Sequence, residues 1–237
     1  MSLVFAQRSA ELERMDRELL DPITLRRLLK ALERVNGLLG GVRATLRPLA
    51  QYAAGWRPGQ TVRFIDWGTG GADVPRAIVR WCRARGFRSR VTAVDQQADI
   101  IGQARSRCRD YPEIELVQAD IAGFAAPEKS FEYALSSLCM HHLTDDQIVL
   151  LLRKSDALAS RGMIMNDLVR SGRAWAWIWA LTRVLRAHPI VQHDAPLSVR
   201  RAFTPSELAG LAHRAGLPYL KVSKHFGYRL TLAGEKN

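Results

Sequence analysis

Phe64-Ile65-Asp66-Trp67-Gly68-Thr69-Gly70-Gly71-Ala72-Asp73 is the stretch whose reading decides the fold. An apolar run ends at an acid, a glycine-rich bend follows, and an amphipathic segment opens at Asp73, which reads as strand, turn and helix in succession. Glycines at 68 and 70 admit backbone angles closed to most residues and let a ligand approach main-chain atoms. In a doubly wound α/β sheet this bend lies at the carboxyl end of the first strand, where such sheets bind their ligands.

The pattern continues in both directions. Short apolar runs at 62–66, 90–95, 114–118, 132–137 and 161–166 alternate with helical segments at 73–85, 97–108, 145–159 and 205–215. Two final strands are expected at 217–224 and 227–233. Alternation of this kind specifies βαβ units, here an α/β chain with a mostly parallel, doubly wound, seven-stranded sheet. Upstream, Leu19, Ile23, Leu25, Leu28, Leu29, Leu32, Val35, Leu38 and Leu39 recur at helical spacing, predicting two or three helices over 9–53. A break is expected around Asn36, Gly37, Gly40 and Gly41, and a turn-rich joint at Gly55–Gly59. The division predicted is a helical cap over 1–58 and a main domain over 59–237.

A glycine-rich bend after a first strand also marks dinucleotide sites. In that pattern the third glycine would fall at position 73, where this chain has Asp73, a charge that would repel a pyrophosphate at the helix N-terminus. The acid followed by Gly68-Thr69-Gly70 instead resembles the first motif of class I S-adenosylmethionine methyltransferases. The likeness runs over roughly 60–233 and includes Phe203-Thr204-Pro205-Ser206-Glu207-Leu208 and Ala215-Gly216-Leu217.

The resemblance implies S-adenosylmethionine as cofactor, a nucleoside carrying a sulfonium and an ammonium but no phosphate. Asp66, together with Gly68, Thr69 and Gly70, would then border its methionine end. The second strand ends at Asp95, followed by Gln96, where the family's acid accepts the ribose hydroxyls. Beyond the third strand come Asp120 and Ile121, at the position that accepts the adenine amine and packs on its ring. Any one of these acids could merely leave a strand or cap the next helix; their recurrence at successive strand ends is what carries the reading.

The fourth strand begins with Glu132 where the family usually has Asp, and runs through Ser137-Leu138 into Cys139-Met140-His141-His142-Leu143. Backbone at Ser137 and Leu138 would border the methionine moiety. His142 is a candidate general base, since imidazole titrates near neutrality, although a turn-closing hydrogen bond explains a histidine there equally well. No metal site is expected, because adjacent histidines rarely converge on one ion.

Between the fifth strand and the Thr204 helix lies an insertion over 170–202, centred on Ala174-Trp175-Ala176-Trp177-Ile178-Trp179-Ala180-Leu181. Arg170, Arg173, Arg183, Arg186, Arg200 and Arg201 flank it against Asp194 alone. It is read as the lining of a pocket for a hydrophobic or aromatic acceptor, phenolic, polyketide or quinone-like, with contact to an anionic membrane surface. Packing against the N-terminal helices is an equal alternative. His188, His193 and Asp194 are placed in a polar loop beyond it, with His193 as the preferred base.

Of the 237 residues, 47% are hydrophobic and 24% charged, a globular composition. The net charge of +12 is compatible with nucleic acid, anionic lipid or acidic ligands. RNA methylation is disfavoured, since neither an RNA-binding module nor an Asn/Asp-Pro-Pro-Tyr motif is present; a silent S-adenosylmethionine-binding protein is the remaining alternative. Cys82, Cys108 and Cys139 form no CxxC pair, and the opening apolar stretch is too short for a signal peptide, so a cytoplasmic protein is expected. Oligomeric state has no signature in the sequence.

Overall fold

The computed structural model describes residues 5–236; Leu3 and Val4 of the opening apolar stretch lie outside them. Its strands are β1 (Thr61–Trp67), β2 (Arg88–Asp95), β3 (Ile114–Gln118), β4 (Phe131–Ser137), β5 (Ala159–Leu168), β6 (Lys221–His225) and β7 (Arg229–Glu235). They form one sheet in the order β3-β2-β1-β4-β5-β7-β6. β7 runs antiparallel to β5 and β6, and the other pairs are parallel. Strand order reverses between β1 and β4, which opens a crevice at their carboxyl ends.

β1 is covered on both faces, as an inner parallel strand must be. Ile65 and Trp67 join a core with Ile148, Leu151, Leu208 and Leu211 on one side. Val62 and Phe64 pack with Val74, Ile78, Cys82, Leu49 and Trp56 on the other. The helices supplying these residues are α3 (Gly41–Tyr52), α4 (Asp73–Arg83), α6 (Asp145–Leu158) and α9 (Pro205–Ala215); α5 (Ala98–Arg107) joins β2 to β3. Thr144 and Thr204 each close a capping box, with Gln147 and Glu207, at the starts of α6 and α9.

The N-terminal segment forms α1 (Arg14–Arg17) and α2 (Pro22–Leu38) ahead of α3. Asp21 accepts hydrogen bonds from the Ile23 and Thr24 N–H groups, both at 3.0 Å, and Pro22 fills the first turn. The break falls within the expected stretch: α2 runs through Asn36 and Gly37, and the chain turns at Leu39 and Gly40, where φ is +75°.

The insertion differs from its reading in three respects. It is two helices, α7 (Gly172–Val184) and α8 (Pro189–Arg201). His188 is therefore a cap, its Nδ1 accepting from the Ile190 N–H at 3.3 Å, and His193 and Asp194 are helical rather than in a loop. Pro189 sits in the first turn for the same reason as Pro22. Secondly, α7 packs Ala174 and Ile178 against Val199, Val35 and Leu39, while Trp177 (51% exposed) and Trp179 face outward, so these tryptophans do not line a closed pocket. Thirdly, two of the flanking arginines are interior. Arg170 donates to the Phe5, Ala6 and Ala202 carbonyls and pairs with Glu207. Arg201 donates to the His141, His142 and Glu11 carbonyls. Arg201, bonded to carbonyls alone among the described residues, carries its charge without a carboxylate, which accounts for part of the basic excess.

Candidate active site

The bend after β1 is built as its glycines require. Gly68 and Gly70 have φ of +63° and +54°, and Ala72 follows at +56°. A Cβ at position 68 would meet Cys139 Sγ at 2.5 Å, so the chain leaving β4 presses directly on the bend. A Cβ at position 70 would meet nothing within 4 Å, because that edge faces open space. Asp95 ties the bend to β2: Oδ2 accepts the Gly70 N–H at 3.0 Å and Oδ1 the Gln97 N–H at 3.1 Å. Burial raises its pKa, with those N–H groups opposing.

Asp66 lies at the floor. It is 2% exposed and its Oδ1 has no hydrogen-bond partner; the nearby Thr69 hydroxyl is likewise buried and unpartnered. Burial, opposed by the neighbouring Thr69 hydroxyl but reinforced by the charges of Asp73 and Asp95, pushes the Asp66 carboxyl up to about 7. At the tip of β4, Ser137 Oγ accepts from Asn166 Nδ2 at 3.0 Å. Leu138, at φ +56°, donates its N–H to the Asn166 carbonyl at 2.9 Å. Gln96 follows Asp95 and accepts from Gln118 Nε2 through its carbonyl. Asp120 is exposed beyond β3, accepting the Gly123 N–H, and Ile121 beside it is half-buried. The ends of β1, β2 and β4 thus bring Asp66, Gly68, Thr69, Gly70, Asp95, Gln96, Ser137 and Leu138 to one crevice, with Asp120 and Ile121 past the end of the adjoining β3.

Glu132 takes the place of the family's usual Asp without loss of the strand. Its longer side chain accepts the Arg63 N–H at 2.5 Å and pairs with the Arg63 guanidinium at 2.8 Å, fastening β4 to β1.

The two histidines sit in a short helical turn, Met140–His142, and each has its Nδ1 on a carboxylate. His141 is buried against Asp167 at 2.7 Å, and its own N–H also reaches Asp167 at 3.0 Å. Despite burial, His141 and the N–H groups of Leu168 and His141 hold the Asp167 carboxyl below its ordinary range. His142 Nδ1 meets Asp16 at 2.8 Å. Burial works against charge on His142, but the Asp16 hydrogen bond and the charges of Glu13, Asp16 and Asp167 outweigh it and raise its pKa. Glu13 Oε1 stands 3.6 Å from His141 Nε2, and one ligand atom each from Glu13, His141 and His142 lie within 4.8 Å of one another. The N-terminal segment thus brings a carboxylate to the pair of histidines.

His193 stands elsewhere on that segment's border, partly exposed, with Nδ1 2.7 Å from Asp194 and Nε2 3.6 Å from Glu11. Asp194 in turn accepts the Arg14 and Met15 N–H groups, anchoring α1 to α8. Sequence reasoning missed Glu13, Asp16 and Asp167. Asp167 had a signal, an acid at the end of a strand like Asp66 and Asp95; Glu13 and Asp16, far away in sequence, had none.

Residues 64–162 match the family model described as a methyltransferase domain. No curated protein matches the chain. Among solved structures, the fold resembles a SAM-dependent methyltransferase from Aquifex aeolicus, 15% identical, with a TM-score of 0.60 over 92% of this chain and 99% of that one. Human N-acetylserotonin methyltransferase in complex with SAM is 14% identical, TM-score 0.62, over 92% of this chain and 57% of that one. Magnesium protoporphyrin IX methyltransferase from Synechocystis PCC 6803 with bound SAH is 12% identical, TM-score 0.58, over 92% and 100%. Strand order and glycine bend agree with these matches: residues 64–162 match a methyltransferase domain, and the chain has the fold that these S-adenosylmethionine-dependent methyltransferases share.

Proposed function

We propose that the protein transfers the methyl group of S-adenosylmethionine to oxygen or carbon of a small hydrophobic or aromatic acceptor. The observation that carries this reading is the buried Asp66 carboxylate, one oxygen unpartnered, beneath a bend whose Gly70 edge is open. A cation-bearing nucleoside without phosphate is the ligand such a floor suits. Asp66, Gly68, Thr69, Ser137 and Leu138 would hold its methionine end, Asp95 and Gln96 the ribose, and Asp120 and Ile121 the adenine. Bound there, the cofactor supplies an electrophilic sulfonium methyl; the chain's share is alignment and exclusion of water.

The acceptor is assigned to the neighbourhood of the His141–His142 turn, on which the N-terminal segment packs, with residues 1–58 acting as a cap. His142, its Nδ1 fixed by Asp16, would present Nε2 to an acceptor hydroxyl and take its proton. His193, on the far border with Asp194 and Glu11, is the second candidate. The solved structures that share this fold include human N-acetylserotonin methyltransferase and a magnesium protoporphyrin IX methyltransferase, which supports a small molecule here. None of the helices among the described residues is long and apolar enough to cross a membrane. Trp177, Trp179, Val184 and Leu185, exposed beside Arg173, Arg183 and Arg186, support shallow contact with an anionic bilayer from which an apolar acceptor would be drawn.

Calorimetry with S-adenosylmethionine, its demethylated product and NAD tests the cofactor, and labelled methyl transfer to a panel of phenols and quinones tests the acceptor. Binding of NAD in preference to both S-adenosyl compounds would sink the reading.

A further inference from the structure

Arg229 is 1% exposed, the largest fully buried charged side chain among the described residues. It opens β7 opposite Leu168, and Thr231 on the same strand pairs with Asn166. Arg229, Thr231, Leu168 and Asn166 therefore share one face of the sheet, the face over which α3 packs. Asn166 reaches Gly41, Thr45 and Ser137 from that face, which places it at the tip of β4.

Among the described residues, two nitrogens of the guanidinium find no partner. Nε and Nη1 are buried without a hydrogen-bond partner. Asp73 and Asp167 are the carboxylates whose charge it feels, and burial still brings its pKa down to about 10. Both carboxylates are committed elsewhere, Asp73 to Asn36 Nδ2 at 2.7 Å and Asp167 to His141 and Leu168. The Oδ1 atoms of Asn36 and Asn166 are also buried and unpartnered, so the polar interior between α2, α3 and β5 is incompletely bonded. An interior arginine in this state is costly unless an anion completes it.

We propose that Arg229 is the anchor for a ligand carboxylate entering the crevice between the tips of β4 and β5 and the start of α4. Its planar donor fork suits a carboxylate. Two sources share that chemistry, the amino-acid end of the cofactor and a carboxylate on the acceptor. The cofactor source rests on the reading of Asp66 and Ser137 given above; the acceptor source does not.

The test compares S-adenosylmethionine with decarboxylated S-adenosylmethionine, which lacks only the carboxylate, by calorimetry on the wild-type chain and on Arg229→Gln and Arg229→Lys. If the cofactor is the source, the wild type prefers the intact cofactor by roughly ten- to one-hundredfold. Arg229→Gln then removes the preference, and Arg229→Lys restores part of it. If the acceptor is the source, both cofactors bind the wild type equally, and Arg229→Gln raises the half-saturating concentration of carboxylated acceptors while sparing neutral analogues. Equal binding of both cofactors, with no discrimination between carboxylated and neutral acceptors by the wild type, overturns the proposal whether or not the variants fold. Failure of the wild type to bind either cofactor would instead overturn the cofactor reading.

Discussion

Replacing Asp66 by Asn should make the ligand-free protein more stable and the cofactor-binding protein worse. Asp66 is buried, and burial together with Asp73 and Asp95 lifts its carboxyl from 3.8 to about 7. A folded-state pKa above the unfolded one means that the associated stability is fully present below 3.8 and is lost as pH rises through about 7. Linkage over that gap gives ~4 kcal/mol in full, of which ~2.5 kcal/mol is lost between about pH 5 and 8. Asn carries no charge and escapes this loss. Its Tm advantage over wild type should therefore widen by roughly 5–10 °C across that range in a chain of this size. Cofactor binding should run the other way. If only the ionised carboxylate receives the ammonium, wild-type affinity for S-adenosylmethionine rises about tenfold from about pH 6 to 8, while the Asn variant binds weakly and without that dependence. Scanning calorimetry and isothermal titration at matched pH read both effects. Equal affinity of variant and wild type at pH 8, or no growth of the Tm difference with pH, would refute the assignment of Asp66 as a strained, cation-seeking floor.

Gly68→Ala should cost at least ~2 kcal/mol, because its Cβ would meet Cys139 Sγ at 2.5 Å in addition to a strained positive φ. Gly70→Ala should cost only ~1 kcal/mol, since its Cβ has open space, yet weaken binding of the demethylated cofactor; denaturant melts and titration separate the two. Asp95→Ala should weaken cofactor binding by ~1.5–3 kcal/mol and also lower the ligand-free Tm, because the same carboxylate holds the Gly70 and Gln97 N–H groups. Asp16→Asn should destabilise by ~0.5–1 kcal/mol near pH 6, an effect that fades as pH rises through the elevated His142 pKa, where the imidazolium that Asp16 holds is lost; Tm at pH 6 and 9 checks this. Wild-type protein should float with anionic vesicles at low salt, and a Trp177→Ser, Trp179→Ser double variant should not; equal flotation would dissociate the α7 face from lipid.

The site was legible where it follows strand grammar. Asp66, Asp95 and Asp120 stand at or just past strand ends, and short apolar runs ahead of glycine or an acid announce such ends from sequence alone. Asp167 obeys the same rule at the end of β5. The insertion was misread. His188-Pro189 is a helix start, but the surrounding residues are polar, and its exposed tryptophans carry no label telling which face meets a core.

Local pattern was enough for the sheet, the glycine bend and the acids that border it, because each depends on neighbours within a few residues. The companions of those acids depend on contacts across the chain: Glu13 and Asp16 reach His141 and His142 only once α1 is pinned to α8 through Asp194. Arg229 is the extreme case. In sequence it is one arginine among many in a basic chain, and only the pairing of β7 with β5 beneath α3 makes it an interior charge without a partner. Burial is a property of the whole assembly, and it is burial that turns an ordinary charged residue into one with something left to bind.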